Sequence, residues 1–555
     1  MNYKVVITTK TGDKIVADDS VVSRQGTVAY NQICNEEDIL VKDSTGHVMF
    51  VPHRNVVKAE VTTFPSSNPS ADISKPVRFI DYDGTIPYSY TLEEFAELNE
   101  LPANPSHDGL VAQGWNWSLE DAKEYLEKYP EADMTIGQMY VTESGDTEID
   151  IELVSPERLS PYLGICIDGA VTIDWGDDNT DVVTGEDLTT PINTKHDYET
   201  IGNYTIKIHV DSGSIVLGGF EYDPCINDNS DSNSRVSQVY SSSVKQLRVG
   251  NNTLLGGYAF DSCYNLERVT LPIGIDSIPD ECFDMCCYLK HLVIPIGVTS
   301  IGESAMYYCF KLDLVSLPTG LKSVDSYAIY YSGVRSITVP ESIETLANED
   351  FGYNMKIEKA VIPDTITVLS GAFSECENLR TYIFPDTITA LDDQAFCDIY
   401  IKSITIPESV TSIGKAVFKN SRALVNIENF PDSITEIPDN TFNGCYSLPS
   451  FDIPDSVTVI GQYAFSYCTQ LKEIEIPESV TQIKSYAFSM CLNLKSVHLK
   501  RTTPPSLAKS NIFQSDPEDL VIYVPYSEDH SILTAYQSAT NWSAYASKMQ
   551  EEEAE

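Results

Sequence analysis

The stretch LKEIEIPESVTQIKSYAFSMCLN, residues 471–493, decides the fold of the C-terminal half of this chain. Leu471, Ile474 and Ile476 alternate with Glu473 and Glu475, the period of two that marks a short strand with one buried face. Pro477 ends the strand because it brings no N–H to the ladder. Val480 and Ile483 point inward again, and Ala487, Phe488 and Cys491 fall at spacings that suit one helical or 3₁₀ turn packed back on the core. The same phrase is written LERVTLPIGIDSIPDECFDMCCY at 266–288 and LKHLVIPIGVTSIGESAMYYCFK at 289–311, and its proline returns every 22 to 24 residues from Pro272 to Pro477. A fixed period of this length is that of a solenoid: one unit buries too few apolar side chains to offset the entropy of ordering it, so units stack, share a core and need caps.

Cysteine follows the same period. Of 13 cysteines, Cys263, Cys286, Cys309, Cys376, Cys445, Cys468 and Cys491 occupy one repeat position, three residues after the aromatic slot. Other units place Ser332, Asn354, Ile399 and Ser421 there, so the slot takes a small side chain able to bond a turn backbone group. These read as buried structural thiols. An odd total without a Cys-x-x-Cys pair argues against a disulfide framework or a zinc site. The net charge of −46 repels phosphate backbones and anionic lipid, which excludes nucleic-acid binding as a working idea. No run of 18 apolar residues is present, so no membrane insertion is expected, and MNYKVVITTKTGDKIVADDS alternates like a strand rather than a signal peptide. A complete chain of this kind would not use the ordinary secretory route.

The expected architecture is mainly β and modular. Residues 1–62 read as a small β attachment domain with strands at YKVVITT, KIVAD, DILVKD and HVMFVP, followed by the linker TTFPSSNPSADISKP. Residues 76–157 read as a small α+β domain containing WNWSLEDAKEYLEKY, with Ser118 as helix N-cap. The run FIDYDGT there resembles the first motif of the haloacid-dehalogenase phosphatases, which would make Asp81 a nucleophile and Asp83 an acid/base. About 75 residues remain before the next domain, too few for the sheet, lysine and further carboxylates of such a site, so the run reads as a strand ending in an Asp-Gly turn. Residues 212–500 are the solenoid and 501–555 an α/β cap, with Leu533, Tyr536, Trp542 and Tyr545 on an amphipathic helix.

Two resemblances refine this. GAVTIDWGDDNTDVVTG and HDYETIGNYTIKIHV are similar to the polycystic-kidney-disease (PKD-like) β-sandwich, through Trp175, Gly176, Asp177, His196, Tyr198, Gly202 and Tyr204, which implies such a module at 158–211. Asp174, Asp177, Asp178 and Asp181 either offer hard oxygens to calcium or form only a polar turn. His196 lacks a nucleophile motif and reads as structural. The repeat itself, L-x-x-I-x-I-P-x-S-V-T-x-I-x-x-x-A-F-x-x-C, resembles the BspA-like (Treponema pallidum type) leucine-rich repeat, and the module combination resembles proteins of gut bacteria and their phages. Met306 and Ile329 replace the phenylalanine, and Val334 and Ile401 come one residue early, so irregular curvature is expected there.

That resemblance implies a non-enzymatic binding protein that recognises a bacterial surface glycan or protein. The carrier is expected to be a phage tail or tail fibre, held to other virion proteins through residues 1–62, with a bacterial cell-surface adhesin as the alternative. A homo-oligomer is compatible with either, no cofactor or catalytic residue is expected, and a hydrolase or a structural spacer are the remaining readings. About eleven coils at roughly 4.8 Å each give a strand face about 50 Å long. Its outward positions are Arg268, Thr270, His291, Val293, Ser316, Thr338, Lys359, Thr405, Glu473 and Glu475. Candidate ligand residues are Arg268 and His291 on that face and the nearby aromatics Tyr307, Tyr308, Tyr330 and Tyr331, joined by Phe310 and Tyr327; tyrosines filling repeat grooves are the alternative.

Overall fold

The computed structural model describes residues 75–218, 224–227, 240–347, 349–515 and 517–553 in full, and before them the backbone of five strands. The chain divides into two compact units, Met1–Ser342 and Ile343–Glu555.

The first unit begins with β1 (Asn2–Thr9), β2 (Lys14–Ala17), β3 (Ile39–Lys42), β4 (Val48–Val51) and β5 (Val56–Phe64), arranged as an antiparallel sheet β2-β1-β5 and a β3-β4 hairpin. β5 was not foreseen and runs through the expected boundary at residue 62. The turns at Thr11-Gly12-Asp13 and Ser44-Thr45-Gly46, and residues 65–74 of the expected linker, lie outside the described residues.

Next come β6 (Val77–Ile80), β7 (Tyr88–Tyr90), α1 (Leu92–Ala96), β8 (Leu110–Trp115), α2 (Leu119–Lys128) and β9 (Met134–Thr142), with sheet order β7-β6-β9-β8. Ser118 caps α2 by accepting from the Asp121 amide, as its sequence position predicts. β10 (Thr147–Leu153) leaves this sheet. It pairs with β13 (Gly202–Leu217), which follows β11 (Tyr162–Asp174) and β12 (Thr180–Lys195). The path continues as β12-β11-β13-β10-β15-β17 through β15 (Val244–Arg248) and β17 (Arg268–Thr270), the first solenoid strands, while β14 (Ile226–Asn227) and β16 (Thr253–Leu255) pair at the side. A separate PKD-like sandwich at 158–211 is not shown: β11, β12 and β13 belong to one hydrogen-bonded sheet with β10 and β15. β13 runs on past residue 211 to Leu217, and β10 takes the edge of β13 that a separate module would leave free, with β15 continuing the sheet from β10.

In the solenoid coils the expected inward residues are inward. Leu471, Ile474, Ile476, Val480, Ile483, Ala487, Phe488 and Cys491 are all buried, while Glu473 and Glu475 are exposed. The segment after the second strand is no helix. Tyr463 and Tyr467, like Tyr486 and Met490 one coil later, have left-handed backbone. Alternate amides then face along the stack: Tyr463, Phe465 and Tyr467 donate to the carbonyls of Ser485, Ala487 and Ser489, while Ala464, Ser466 and Cys468 donate three residues back within their own coil. A left-handed residue costs about 1–2 kcal/mol, and the inter-coil bonds offset that where a helix would leave them unmade.

Side chains extend these ladders. Sγ of Cys445, Cys468 and Cys491 donates at 3.1–3.2 Å to the carbonyl of Phe418, Phe442 and Phe465 in the preceding coil. Ser421, in the same slot, gives the Phe396 carbonyl a 2.6 Å bond. Burial pushes the Cys445 and Cys468 thiols well above the usual range, so they stay protonated donors. Cys445→Ser is expected to change the urea midpoint little. Cys445→Ala, which leaves the Phe418 carbonyl with only the Ser421 amide, should cost about 1 kcal/mol in the same titration. Ser456 and Ser479, the serines of the P-x-S-V phrase, donate likewise to the Ile434 and Val457 carbonyls.

The expected cap continues the stack before closing it. Strand Val521–Val524 extends the ladder of Ser496–Leu499 and pairs with a last strand, Met549–Glu551. Helix Ser531–Ser538 and a 3₁₀ segment Trp542–Lys548 place Tyr536, Trp542 and Tyr545 in the core.

Candidate functional site

Six rings gather on the turns of two successive coils of the first unit. Tyr307 stacks on Tyr330 at 5.3 Å and 12°, Tyr308 lies 4.8 Å from Tyr331, and Tyr327 meets Tyr330 edge-on. Phe310 closes the cluster against Tyr308 and Tyr331. The 23-residue period produces this: equivalent turn positions sit one above the other, so tyrosines repeated in register must stack. Tyr327 is 37% exposed and the other five are half-buried. The four tyrosines expected to act together are thus brought together, as a surface of ring edges and hydroxyls.

Arg268 and His291 are not part of it. The strand face of these coils, expected to be open, is covered by the α+β domain of the same unit. Gly84 and Gly137 let the backbones close in: a Cβ on Gly84 would sit 1.8 Å from His291 Nε2, and one on Gly137 2.5 Å from Val293. Ile80 and Met139 join Val293 and Leu314 in one core cluster. Asn116 Nδ2 donates to the carbonyls of Ile294 and Ser316, Trp117 Nε1 to Leu317, and Tyr125 Oη to Val339. Ser316 and Thr338 hydroxyls donate to the Thr135 and Asp133 carbonyls. Arg268 is half-buried, and its charge acts on the Tyr82 hydroxyl of that domain. The reading failed because alternation marks which residues leave the core of a coil, not what lies over them. The missed contributors, Asn116 and Trp117, stand in the tryptophan-rich WNWS, whose polar atoms needed partners.

Burial lowers the His291 pKa to about 4, reinforced by Lys290 and opposed by Asp313 and Asp83. Its Nδ1 has no partner among the described residues. Since the unfolded value is about 6.5, packing neutral His291 contributes stability that is complete above that pH and is lost as pH falls towards 4, up to about 3 kcal/mol. The difference in Tm between the native chain and His291→Gln is expected to shrink or reverse from pH 7 to pH 4.5, followed by a calorimetric pH series.

The acidic candidates have other work. Asp177 Oδ2 bonds His196 Nε2 at 2.8 Å, Asp174 accepts from the Gly176 amide and Asp181 from the Trp175 indole. His196 stacks on Trp175 at 4.7 Å, and Tyr198 Oη bonds the Trp175 carbonyl. The residues of the PKD-like signature do meet, as the packed corner of a long sheet. Asp174, Asp177 and Asp178 do not converge, and among the described residues no group of three or more His, Cys, Asp or Glu is placed to hold a metal. Asp81 is buried and accepts from Tyr140 Oη and the Tyr82 amide beside His107, at the end of a four-stranded mixed sheet. No helix of the described residues is long and apolar enough to cross a membrane.

Comparison with known proteins agrees with the coil geometry. The profile of the BspA type leucine-rich repeat region matches residues 238–357, 344–428 and 389–516 in six copies, together just over half of the chain. Among solved structures, a leucine-rich repeat protein from Bacteroides ovatus is 22% identical, with a TM-score of 0.46 over 62% of this chain and 96% of its own. A leucine-rich cell surface protein from Faecalibacterium prausnitzii is 28% identical, with a TM-score of 0.35 over 46% of this chain and 73% of its own. The pneumococcal vaccine antigen PcpA is 17% identical, with a TM-score of 0.40 over 60% of this chain and 82% of its own. No curated protein matches.

Proposed function

Because the chain belongs to the BspA-type leucine-rich repeat family, we propose that it is a non-enzymatic adhesion protein whose first unit binds a bacterial surface glycan or protein through the six-ring patch. The observation that carries this is the half-exposed stack of Tyr307, Tyr308, Tyr330 and Tyr331. Half-exposed ring edges beside hydroxyls suit both the apolar faces and the hydroxyls of sugars, and they anchor protein partners equally well. The buried Asp81 and the half-buried Asp177, each held by neighbouring hydrogen bonds, support a scaffold rather than a reaction centre.

The test uses the full chain, because residues 212–555 alone would uncover the strand face that the α+β domain occupies. Printed bacterial glycans and intact cells are the probes. Tyr307, Tyr308, Tyr330 and Tyr331 replaced together by alanine are expected to lower binding at least tenfold; unchanged binding ends the patch reading. A bacterial surface is the favoured carrier, in keeping with the F. prausnitzii protein described as a cell surface protein. Immunogold labelling that decorates the cell envelope supports it. Label on phage tails would move the protein to a virion.

A further inference from the structure

Two coils have a turn shortened by one residue: Val334 and Ile401 follow the residue in the aromatic slot, Ile329 and Phe396, by five positions, where Leu494 follows Phe488 by six. The strand ladder breaks at both. In the first unit, His291–Val293 pairs with Leu314–Ser316, but the pairing does not reach residues 336–338. There the chain supplies substitutes for the missing ladder: Ser316 bonds Asn116 and the Thr135 carbonyl, Ser336 accepts from Arg78, and Thr338 donates to the Asp133 carbonyl. Ser316, Ser336 and Thr338 are all buried.

In the second unit the pair Lys359–Val361 and Thr381–Ile383 is not joined to the pair Ser403–Thr405 and Asn426–Glu428. The break is confined to the strand side. The neighbouring ladder runs on through Ala390–Leu391 and Ser412–Ile413, and the Gln394 and Phe396 amides still donate to the Lys415 and Val417 carbonyls. Two bulky inward residues hold the wedge open. Tyr382 and Phe384 stand where other coils have Ile474 and Ile476, with the Tyr382 ring 5.5 Å from both Phe373 and Phe396. The Tyr382 hydroxyl is buried and has no hydrogen-bond partner among the described residues. The resulting groove, about 770 Å³, is lined by Thr381, Tyr382, Phe384, Ser403 and Thr405, among others. Thr381, Ser403 and Thr405 are exposed, the opposite of their counterparts in the first unit.

We propose that this split is a docking site for an extended segment of a partner protein, seated where two parallel strands face each other without ladder bonds. Peptide groups match what is open there. Each strand edge offers N–H and C=O groups at the spacing an added chain reads, and the equivalent break in the first unit is bonded by an Asn side-chain amide and two backbone carbonyls. The site shares no residue with the tyrosine patch.

A phage-displayed library of linear twelve-residue peptides is panned on the full chain. Enriched peptides are expected to bind the purified protein, to lose at least tenfold in affinity for Ser403→Trp, and to keep their affinity for the quadruple tyrosine variant. Hydrogen exchange on the native chain gives a second readout, in which a bound peptide should protect the amides of residues 381–384 and 403–406. The proposal falls if panning enriches nothing, if selected peptides bind Ser403→Trp equally and leave those amides unprotected, or if only oligosaccharides protect them.

Discussion

Phe442→Ala is expected to lower the stability of the second unit by about 3–5 kcal/mol, the range for deleting a buried phenylalanine when its surroundings cannot collapse. Collapse is hindered here because Phe442 is fully buried and touches four other rings: Phe418 at 5.5 Å and nearly parallel, Phe465 at 5.0 Å, Phe451 at 4.6 Å and Phe430 at 5.8 Å. Its backbone is also fixed from both sides, donating to Ala464 and accepting from Cys468 Sγ. In a stack whose stability is a sum of nearest-neighbour terms, the hole weakens two interfaces at once. Urea titration should show a lower midpoint and a broader transition. Phe442→Leu should recover most of the loss, since Met306 and Ile329 fill the same slot in other coils. A midpoint unchanged in Phe442→Ala would mean that the aromatic column does not carry the stack.

What the repeat states about itself was legible. Leu471, Ile474 and Ile476 are inward because period two leaves no other choice, and the cysteine slot could be read as a bonded position because serine and asparagine share it. The left-handed turn residues could not be read in the same way. Tyr463 and Met490 have no intrinsic preference for that backbone; inter-coil hydrogen bonds impose it, and these exist only once the stack is built. The tyrosine patch was legible because register turns sequence repetition into spatial neighbourhood. Arg268 and His291 were misplaced because one domain covering the face of another leaves no periodic signal. The same limit explains the PKD-like reading: Trp175, His196 and Tyr198 do pack together, yet the pairing of β13 with β10 depends on residues far from that motif. The early arrival of Ile401 was visible, but not that the ladder would open there rather than bend.

Asn116→Asp should damage the first unit more than Asn116→Ala does, although only one group changes. Asn116 has no exposed surface and makes four contacts: Nδ2 donates to the Ile294 and Ser316 carbonyls, and Oδ1 accepts from the Gly137 amide and shares the single Ser316 hydroxyl proton with the Thr135 carbonyl. Alanine removes all four and leaves the Gly137 N–H without its acceptor, at about 2–3 kcal/mol. Aspartate keeps the two accepted bonds but places a second oxygen against two carbonyl oxygens where water cannot reach. Either a charge is buried or a proton is taken up to donate to one of them. The expected loss is about 4 kcal/mol near pH 7, easing as the pH is lowered and the carboxyl protonates. That sign is opposite to the His291 effect, so the two variants, followed by urea titration at pH 7 and pH 5, distinguish a buried amide from a buried imidazole. Equal stability of Asn116→Asp and the native chain at pH 7 would show that the α+β domain does not hold the strand face through Asn116.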